Sequence, residues 1–320
     1  SSDLNSKKLN YRLLAKIKLG VKPKLHWDAR YRVTDNPKNK LPKNAEVLEF
    51  FRTPSTPEEV WHNLPPELQN SEDFSHTLES AIALQLLKED VPLPEFDRPI
   101  FIISAPRAGS TLLFETLSQF RDLWTVGTES HDIIEAIPEL HPGAHNFSSN
   151  RLTEADALPH IDLALRDGFV RQLRDRSGGA YLNLPVKQRP QKIRFLEKTP
   201  KNALRVPFLK AIFPDGLFIF LYREPRGNIS SMIEGWRSQR FISSPQPPGW
   251  QQKNWSFLLI PGWSSLQNCS IAEIAAHQWK TANSYIWDDL QSLPSCSWSL
   301  VKYQDLIERS EERRVGKECR

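Results

Sequence analysis

A chain of 320 residues holds one large domain or two ordinary ones, and either leaves room for a sizeable core. Apolar residues make up 39% and charged residues 25%, which excludes a disordered composition. The formal net charge of +4 is too small to point to nucleic acid, and it is unevenly placed. Residues 1–43 hold twelve Lys/Arg and three Asp/Glu, a net +9 that leaves −5 for the rest. The charge describes an arm and not the whole molecule.

Three cysteines form neither a disulfide framework nor paired zinc-ligand spacing, so no metal site is expected and a reducing, cytoplasmic setting is. No apolar run approaches the roughly eighteen residues of a membrane span. The chain has no initiator Met, its one methionine being Met232, so an N-terminal address could be missing.

In chain order, residues 1–95 read as a basic, helical or irregular N-terminal extension. LNYRLLAKIKL (Leu9–Leu19) and HTLESAIALQLLKE (His76–Glu89) carry helical periodicity, with Pro and Asn between them too frequent for a regular sheet. The basic first segment either packs one face on the main domain or makes weak contact with a membrane surface.

From residue 96 to 308 the pattern changes. PIFIIS (Pro99–Ser104) is a strand buried on both faces, followed by a turn and helical spacing at Leu112, Leu113, Thr116, Leu117 and Phe120. WTVG (Trp124–Gly127) is a second short strand, and residues 154–175 are helical. Asn202–Phe213 is a helix containing Pro207, and LFIFLY (Leu217–Tyr222) is another buried strand. A helix follows over Arg226–Arg237, then a Pro/Gly/Trp-rich loop over 243–263, a long helix over 271–291 and a strand over Trp298–Tyr303. Ile274, Trp279, Ile286 and Leu290 form a core-facing stripe on the long helix. Strands alternating with helices predict an α/β fold: three layers around a central parallel sheet.

The chemistry concentrates in two strand-to-helix loops. Pro106-Arg107-Ala108-Gly109-Ser110-Thr111 follows the first strand, where unpaired N–H groups and the helix dipole favour a phosphate. Gly109 lets the backbone approach a ligand, Ser110 and Thr111 add hydroxyls, and Arg107 adds a planar cationic fork. The loop lacks the G-x-x-x-x-G-K-S/T spacing of a Walker loop. LFIFLY ends in Arg223, where a P-loop kinase or ATPase would place a Mg²⁺-holding acid. Arg226, Ser230 and Ser231 lie just beyond, which suits a second anion held by Arg and hydroxyls without a metal. The bland alternatives are that Gly109 and Ser110 merely turn and cap a helix, and that Arg223 pairs with a nearby carboxylate.

PRAGSTLL and YREPRGNISSM resemble the 5′-phosphosulfate loop and the 3′-phosphate motif of sulfotransferases that use 3′-phosphoadenosine 5′-phosphosulfate (PAPS). The likeness is closest to the branch of the tyrosylprotein sulfotransferases and bacterial relatives, which begin P-R-S/A-G-S/T-T, and it extends over about residues 98–308. It implies a P-loop-NTPase-like fold and sulfuryl transfer from PAPS to an acceptor hydroxyl, on a small molecule or a peptide tyrosine. Under it, Arg107, Ala108, Gly109, Ser110 and Thr111 hold the 5′-phosphosulfate, Arg223 and Ser231 the 3′-phosphate, and Tyr303 of VKYQDL lies beside the adenosine. Glu129 of VGTES aligns with the catalytic carboxylate, and Lys198 of LEKTP with the lysine of an N-K-D-P segment. His131 is the rival base. Two other readings stand beside this one: a P-loop kinase-like phosphotransferase, and a non-catalytic nucleotide-binding or membrane-surface module.

Thr199-Pro200 is an N-cap and N1 pair, with Asn202 available to that first turn or to a phosphate. His141 and His145 read as loop residues, and Trp236, Trp250, Trp255 and Trp263 as core packing ahead of an acceptor pocket. RSEERRVGKECR (309–320) is similar to the in-frame translation of a sequencing-library adapter and is set apart as a non-native tail. Family members continue past the Y-x-D-L segment with a helix and a basic stretch that close over the nucleotide, so this chain is expected to be a C-terminally truncated fragment that binds PAPS weakly, with turnover low or lost.

Overall fold

The computed structural model describes residues 25–34, 42, 44–69, 71–84, 86–251 and 254–308. The segments 9–19 and 309–320 singled out above lie outside them.

The N-terminal part is not purely helical. β1 (Tyr31–Val33) is followed by α1 (Pro57–Asn63), α2 (Ser71–Ala83) and β2 (Leu87–Glu89), which pairs antiparallel with β1. α1 starts on a capping box: Thr56 Oγ1 accepts the Glu59 N–H at 3.1 Å, and the Glu59 carboxylate accepts the Thr56 N–H at 2.8 Å. The helix expected over 76–89 ends at Ala83, because Leu87 pairs with Val33 and seals a small core of Tyr31, Phe51, Val60, Phe74 and Leu78. Tertiary pairing overrides a helical period here. Glu89 also receives the Arg189 guanidinium in a nearly buried ion pair, and Lys88 reaches Asp167 at 2.8 Å, so β2 fastens this unit to the main domain.

The main domain runs β3 (Glu95–Phe96), β4 (Ile100–Ile103), α3 (Ser110–Leu117), β5 (Leu123–Trp124), α4 (His131–Ile134), α5 (Pro159–Gln172) and β6 (Lys192–Lys198). It continues with α6 (Val206–Ile212), β7 (Leu217–Tyr222), α7 (Pro225–Ser238), the β8 (Ile242–Pro245) and β9 (Asn254–Ser256) hairpin, α8 (Ile271–Gln291) and β10 (Trp298–Lys302). Five strands pair in parallel in the order β5–β6–β4–β7–β10, and β3 adds to the start of β6. Chain order reverses at β4, which has β6 on one side and β7 on the other. A crevice forms at the carboxyl end of such a strand.

Strand alternation sorts the core. Phe101, Phe195 and Phe218 face the larger cluster with Phe169, Phe213 and the buried stripes of α5 to α8. Ile102, Leu196 and Leu221 face the opposite side, under Leu113 and Phe114 of α3. Each buried Phe stabilises the fold by about 1.5–3 kcal/mol. Trp236, Trp250, Trp255 and Trp263 are buried with ring centroids 5.0–5.8 Å apart, as the core-packing reading expects. Ile274, Ile286 and Leu290 line the buried face of α8, with Trp279 partly exposed beside them.

Three expectations change in detail. Residues 202–213 are not one helix: a 3₁₀ turn over Pro200–Leu204 breaks at Arg205, and Pro207 sits in the first turn of α6, where its missing N–H costs nothing. Residues 154–175 divide likewise into a 3₁₀ turn and α5, and the Trp-rich loop contains the β8–β9 hairpin. β6, reading KIRFLEK, has no counterpart among the expected strands, since Lys192 and Arg194 interrupt its apolar run.

Candidate functional site

Because the five strands are parallel, the residues that follow them gather along one edge of the sheet. Arg107 follows β4, Glu129 follows β5, Lys198 ends β6, Arg223 follows β7 and Tyr303 follows β10. One chemically distinctive side chain per strand is thereby delivered to the edge where such a sheet forms its crevice.

The loop after β4 holds a defined, partly left-handed shape, with φ 64° at Arg107 and 99° at Gly109. Ala108 N–H donates to Ala105 O at 3.3 Å, and the buried Asn228 side chain donates to Pro106 O at 2.7 Å. Gly109 serves as N-cap of α3. A Cβ there would fall 2.4 Å from the Tyr303 ring, so glycine is required by conformation and by space together. Ser110 is buried and Thr111 exposed at the helix start. The segment does turn and cap the helix, with Gly109 at the N-cap of α3.

Arg223 forms no ion pair among the described residues. Its Nη1 donates to Arg107 O at 3.0 Å, and its guanidinium lies 4.5 Å from the Tyr303 ring centroid. Arg107 in turn donates from Nε to Ser231 Oγ at 3.2 Å and stacks over Phe241 at 4.7 Å. Glu224, the acid after Arg223, is consumed as the N-cap of α7, where it accepts the N–H groups of Arg226 at 2.8 Å and Gly227 at 2.5 Å. Arg107, Arg223, Ser231 and Tyr303 thus form one cluster over the Gly109 loop, with Arg107, which the sequence reading assigned to the other anion, bonded directly to Ser231 and Arg223.

The second group sits across the crevice. Lys198 Nζ donates to Glu129 Oε1 at 2.8 Å and reaches Thr111 Oγ1 at 3.5 Å, tying the β5 loop to the phosphate-type loop. His131 Nδ1 lies 3.5 Å from Glu129 Oε2, an ion-pair distance rather than a good hydrogen bond. Burial pushes the Glu129 carboxyl up, but its contacts with His131 and Lys198 and their charges outweigh that and hold it down at about 2. Glu129, Lys198 and His131 are therefore brought together, with the lysine between the two loops.

Sequence reasoning missed what lies beneath. Thr199 occupies the N-cap with Pro200 behind it at N1, as expected, but its side chain does not cap the turn; its Oγ1 accepts the Ser130 N–H at 2.7 Å. Asn202 does not point to the phosphate-type loop: its Nδ2 donates to the buried Glu197 Oε2 at 2.7 Å. Glu197 is fully buried and also accepts Ser130 Oγ at 2.6 Å. Only the adjacency of Glu197 to Lys198 in LEKTP could have signalled it. Deeper still, Glu135 accepts Lys201 Nζ at 2.7 and 2.8 Å and Arg205 Nη2 at 2.7 Å. His141 and His145 belong to a short 3₁₀ turn over Pro142–His145 rather than to an irregular loop: His141 caps it, its Nδ1 accepting the Gly143 N–H, and His145 bonds Glu139 O.

Glu135 yields a stability prediction. Burial pushes its carboxyl up, yet Arg205 and Lys201 outweigh this and hold it at about 2, below the ordinary 4.5. A depressed carboxyl contributes stability that is complete above about 4.5 and lost as pH falls towards 2. Glu135→Ala leaves two buried cations on no anion and is expected to cost about 3–5 kcal/mol in urea denaturation at neutral pH. The variant should also lose part of the acid-induced destabilisation between pH 4.5 and 2. An unchanged denaturation midpoint would refute the assignment.

A model of the sulfotransferase family matches residues 99–313. A Caenorhabditis briggsae protein named "Putative protein-tyrosine sulfotransferase" is 24% identical over 143 residues, 44% of this chain and 45% of that protein, so the match spans less than half of that relative. Among solved structures, a sulfotransferase domain from the curacin biosynthetic pathway is 18% identical, with 68% of this chain and 71% of that one covered at a TM-score of 0.38. A sulfotransferase from Alicyclobacillus acidocaldarius is 14% identical, with 69% and 79% covered at 0.39.

Proposed function

This chain belongs to the sulfotransferase family, and we propose that it transfers a sulfuryl group from PAPS to an acceptor hydroxyl by in-line displacement. The observation that carries the proposal is the delivery of Arg107, Glu129, Lys198, Arg223 and Tyr303 from five parallel strands to one crevice. The donor set suits a nucleotide with anions at both ends: left-handed backbone at Gly109 and Arg107 for one, and the Arg223 guanidinium with Ser231 Oγ for the other. PAPS, when bound, supplies the sulfuryl group and the leaving phosphate. Tyr303 offers an aromatic face above Gly109, beside Arg223.

Lys198 is the cation that supports charge on the reacting oxygens, and Glu129 the base that takes the acceptor's proton at its Oε atoms. In the ligand-free pair Glu129 is a poor base, because Lys198 and His131 hold its carboxyl at about 2. An anion in the loop competes for the ammonium. Freed of that partner, burial raises the carboxyl and strengthens it as a base. The hydroxyl-bearing acceptor is a phenol, on a small molecule or a peptide tyrosine; the protein-tyrosine name of the partial relative supports the latter.

The test is transfer of radiolabelled sulfate from PAPS to a tyrosine peptide and to a simple phenol. Glu129→Gln is expected to lower turnover by at least about 100-fold. Under the same conditions His131→Asn should retain most turnover. The reverse order would make His131 the base, and label transferred only from ATP with Mg²⁺ would replace the reading with a kinase.

A further inference from the structure

Glu197 is a carboxylate with no solvent exposure, sited one residue before Lys198 at the end of β6. Neighbours in a strand point to opposite faces, so Lys198 projects towards α3 and Thr111 while Glu197 projects the other way. Both are nevertheless tied to the same loop. Glu129 meets Lys198 at 2.8 Å, and its neighbour Ser130 meets Glu197 at 2.6 Å. Two successive loop residues therefore straddle two successive strand residues. Thr199, the next residue along, accepts the Ser130 N–H at 2.7 Å and lies 3.2 Å from its Oγ. Asn202 secures the remaining Glu197 oxygen at 2.7 Å.

Burying a carboxylate is expensive, and apolar packing would fill the same volume at lower cost. A hydrogen-bonded polar network does what apolar packing does not: it fixes positions to within a hydrogen-bond length. What this one fixes is the height of Ser130, and hence of Glu129, relative to the end of β6.

We propose that Glu197 is a positioning residue for sulfuryl transfer, clamping the Glu129 loop through Ser130 and Thr199 so that Glu129 meets Lys198 across the crevice. The proposal rests on the reading of Glu129 and Lys198 as the working pair. Glu197 touches no reacting atom, and its effect passes entirely through the loop.

The test uses the full chain. Glu197→Gln is expected to lower kcat by about 30–100-fold, the scale of a misplaced catalytic group, with acceptor KM and affinity for 3′-phosphoadenosine 5′-phosphate (PAP) within about threefold of wild type. On a Glu129→Gln background the same change should cost less than about threefold more, because the residue it positions is already lost. Thr199→Val should reproduce a loss that Thr199→Ser restores. In the unliganded protein, hydrogen exchange at the Ser130 amide should speed up about tenfold in Glu197→Gln and in Thr199→Val, and Thr199→Val serves alone if Glu197→Gln does not fold.

A kcat loss equally large on both backgrounds, or an unchanged Ser130 exchange rate, would overturn the proposal. Should the wild-type chain transfer no sulfate, the functional reading fails, while the exchange experiment still decides whether the clamp exists.

Discussion

Lys198→Ala is expected to lower turnover by about 100–1,000-fold, the usual cost of one preorganised charge at a reacting oxygen. Its ammonium is nearly buried, with 8% of the side chain exposed, and it is held between Glu129 Oε1 and Thr111 Oγ1. Nothing mobile from solvent can replace it without rebuilding that bridge. The variant also changes the base. Glu129 loses a hydrogen bond and a charge that hold its carboxyl at about 2, so its pKa must rise. The acid limb of kcat/KM, which reports the free enzyme, should therefore move to higher pH. Lys198→Arg should restore little, since a planar fork does not fit a site built around a point charge. Wild-type turnover in Lys198→Ala, with an unmoved acid limb, would remove Lys198 from the chemistry.

Arg223→Ala should cost about 10–100-fold in affinity for PAP, the range of hydrogen bonds to a charged group. The informative comparison is with adenosine 5′-phosphate, which lacks the 3′-phosphate. Wild type should prefer PAP clearly, and the variant should bind the two almost alike. Part of the loss is indirect, because Arg223 also holds Arg107 O at 3.0 Å and lies under Tyr303. That part weakens both nucleotides equally, so the ratio isolates the 3′-phosphate contact. A ratio unchanged by the mutation would place the 3′-phosphate elsewhere.

The loops that carry Arg107 and Arg223 were legible in the sequence for a physical reason, whereas Lys198 was named only from its likeness to a family segment. PRAGSTLL and YREPRGNISSM each write strand end, turn and helix start consecutively, so local chemistry and local structure coincide. β4, β7 and α8 were equally plain, because an apolar run or a sustained helical stripe is a short-range signal. β6 was not, since Lys192 and Arg194 at its exposed start break the apolar pattern of a buried strand. The His76–Glu89 segment misled in the other direction: its period is helical, but Leu87–Glu89 gain more from pairing with β1 and from the Arg189 contact than from another helical turn.

The site divides in the same way. Glu129, Lys198 and His131 could be named from their motifs, yet their mutual geometry depends on β5 and β6 lying side by side. Thr199 and Asn202 look like ordinary first-turn residues in the sequence, and nothing there sets Ser130 apart. They became a network only because Glu197, a charged residue in a strand, is buried among them. Burial of a charge is a long-range property that no local pattern records.

The central claim is that the crevice recognises a nucleotide through two separate anionic groups held by Arg and backbone. Calorimetric titration of the chain with PAP in the presence of EDTA, beside ATP with Mg²⁺, tests it most directly. The arrangement of Arg107, Gly109, Arg223 and Ser231 predicts saturable binding of PAP in EDTA and much weaker binding of ATP with Mg²⁺. Preference for ATP with Mg²⁺, or heat from PAP that is the same in Arg223→Ala, would contradict it.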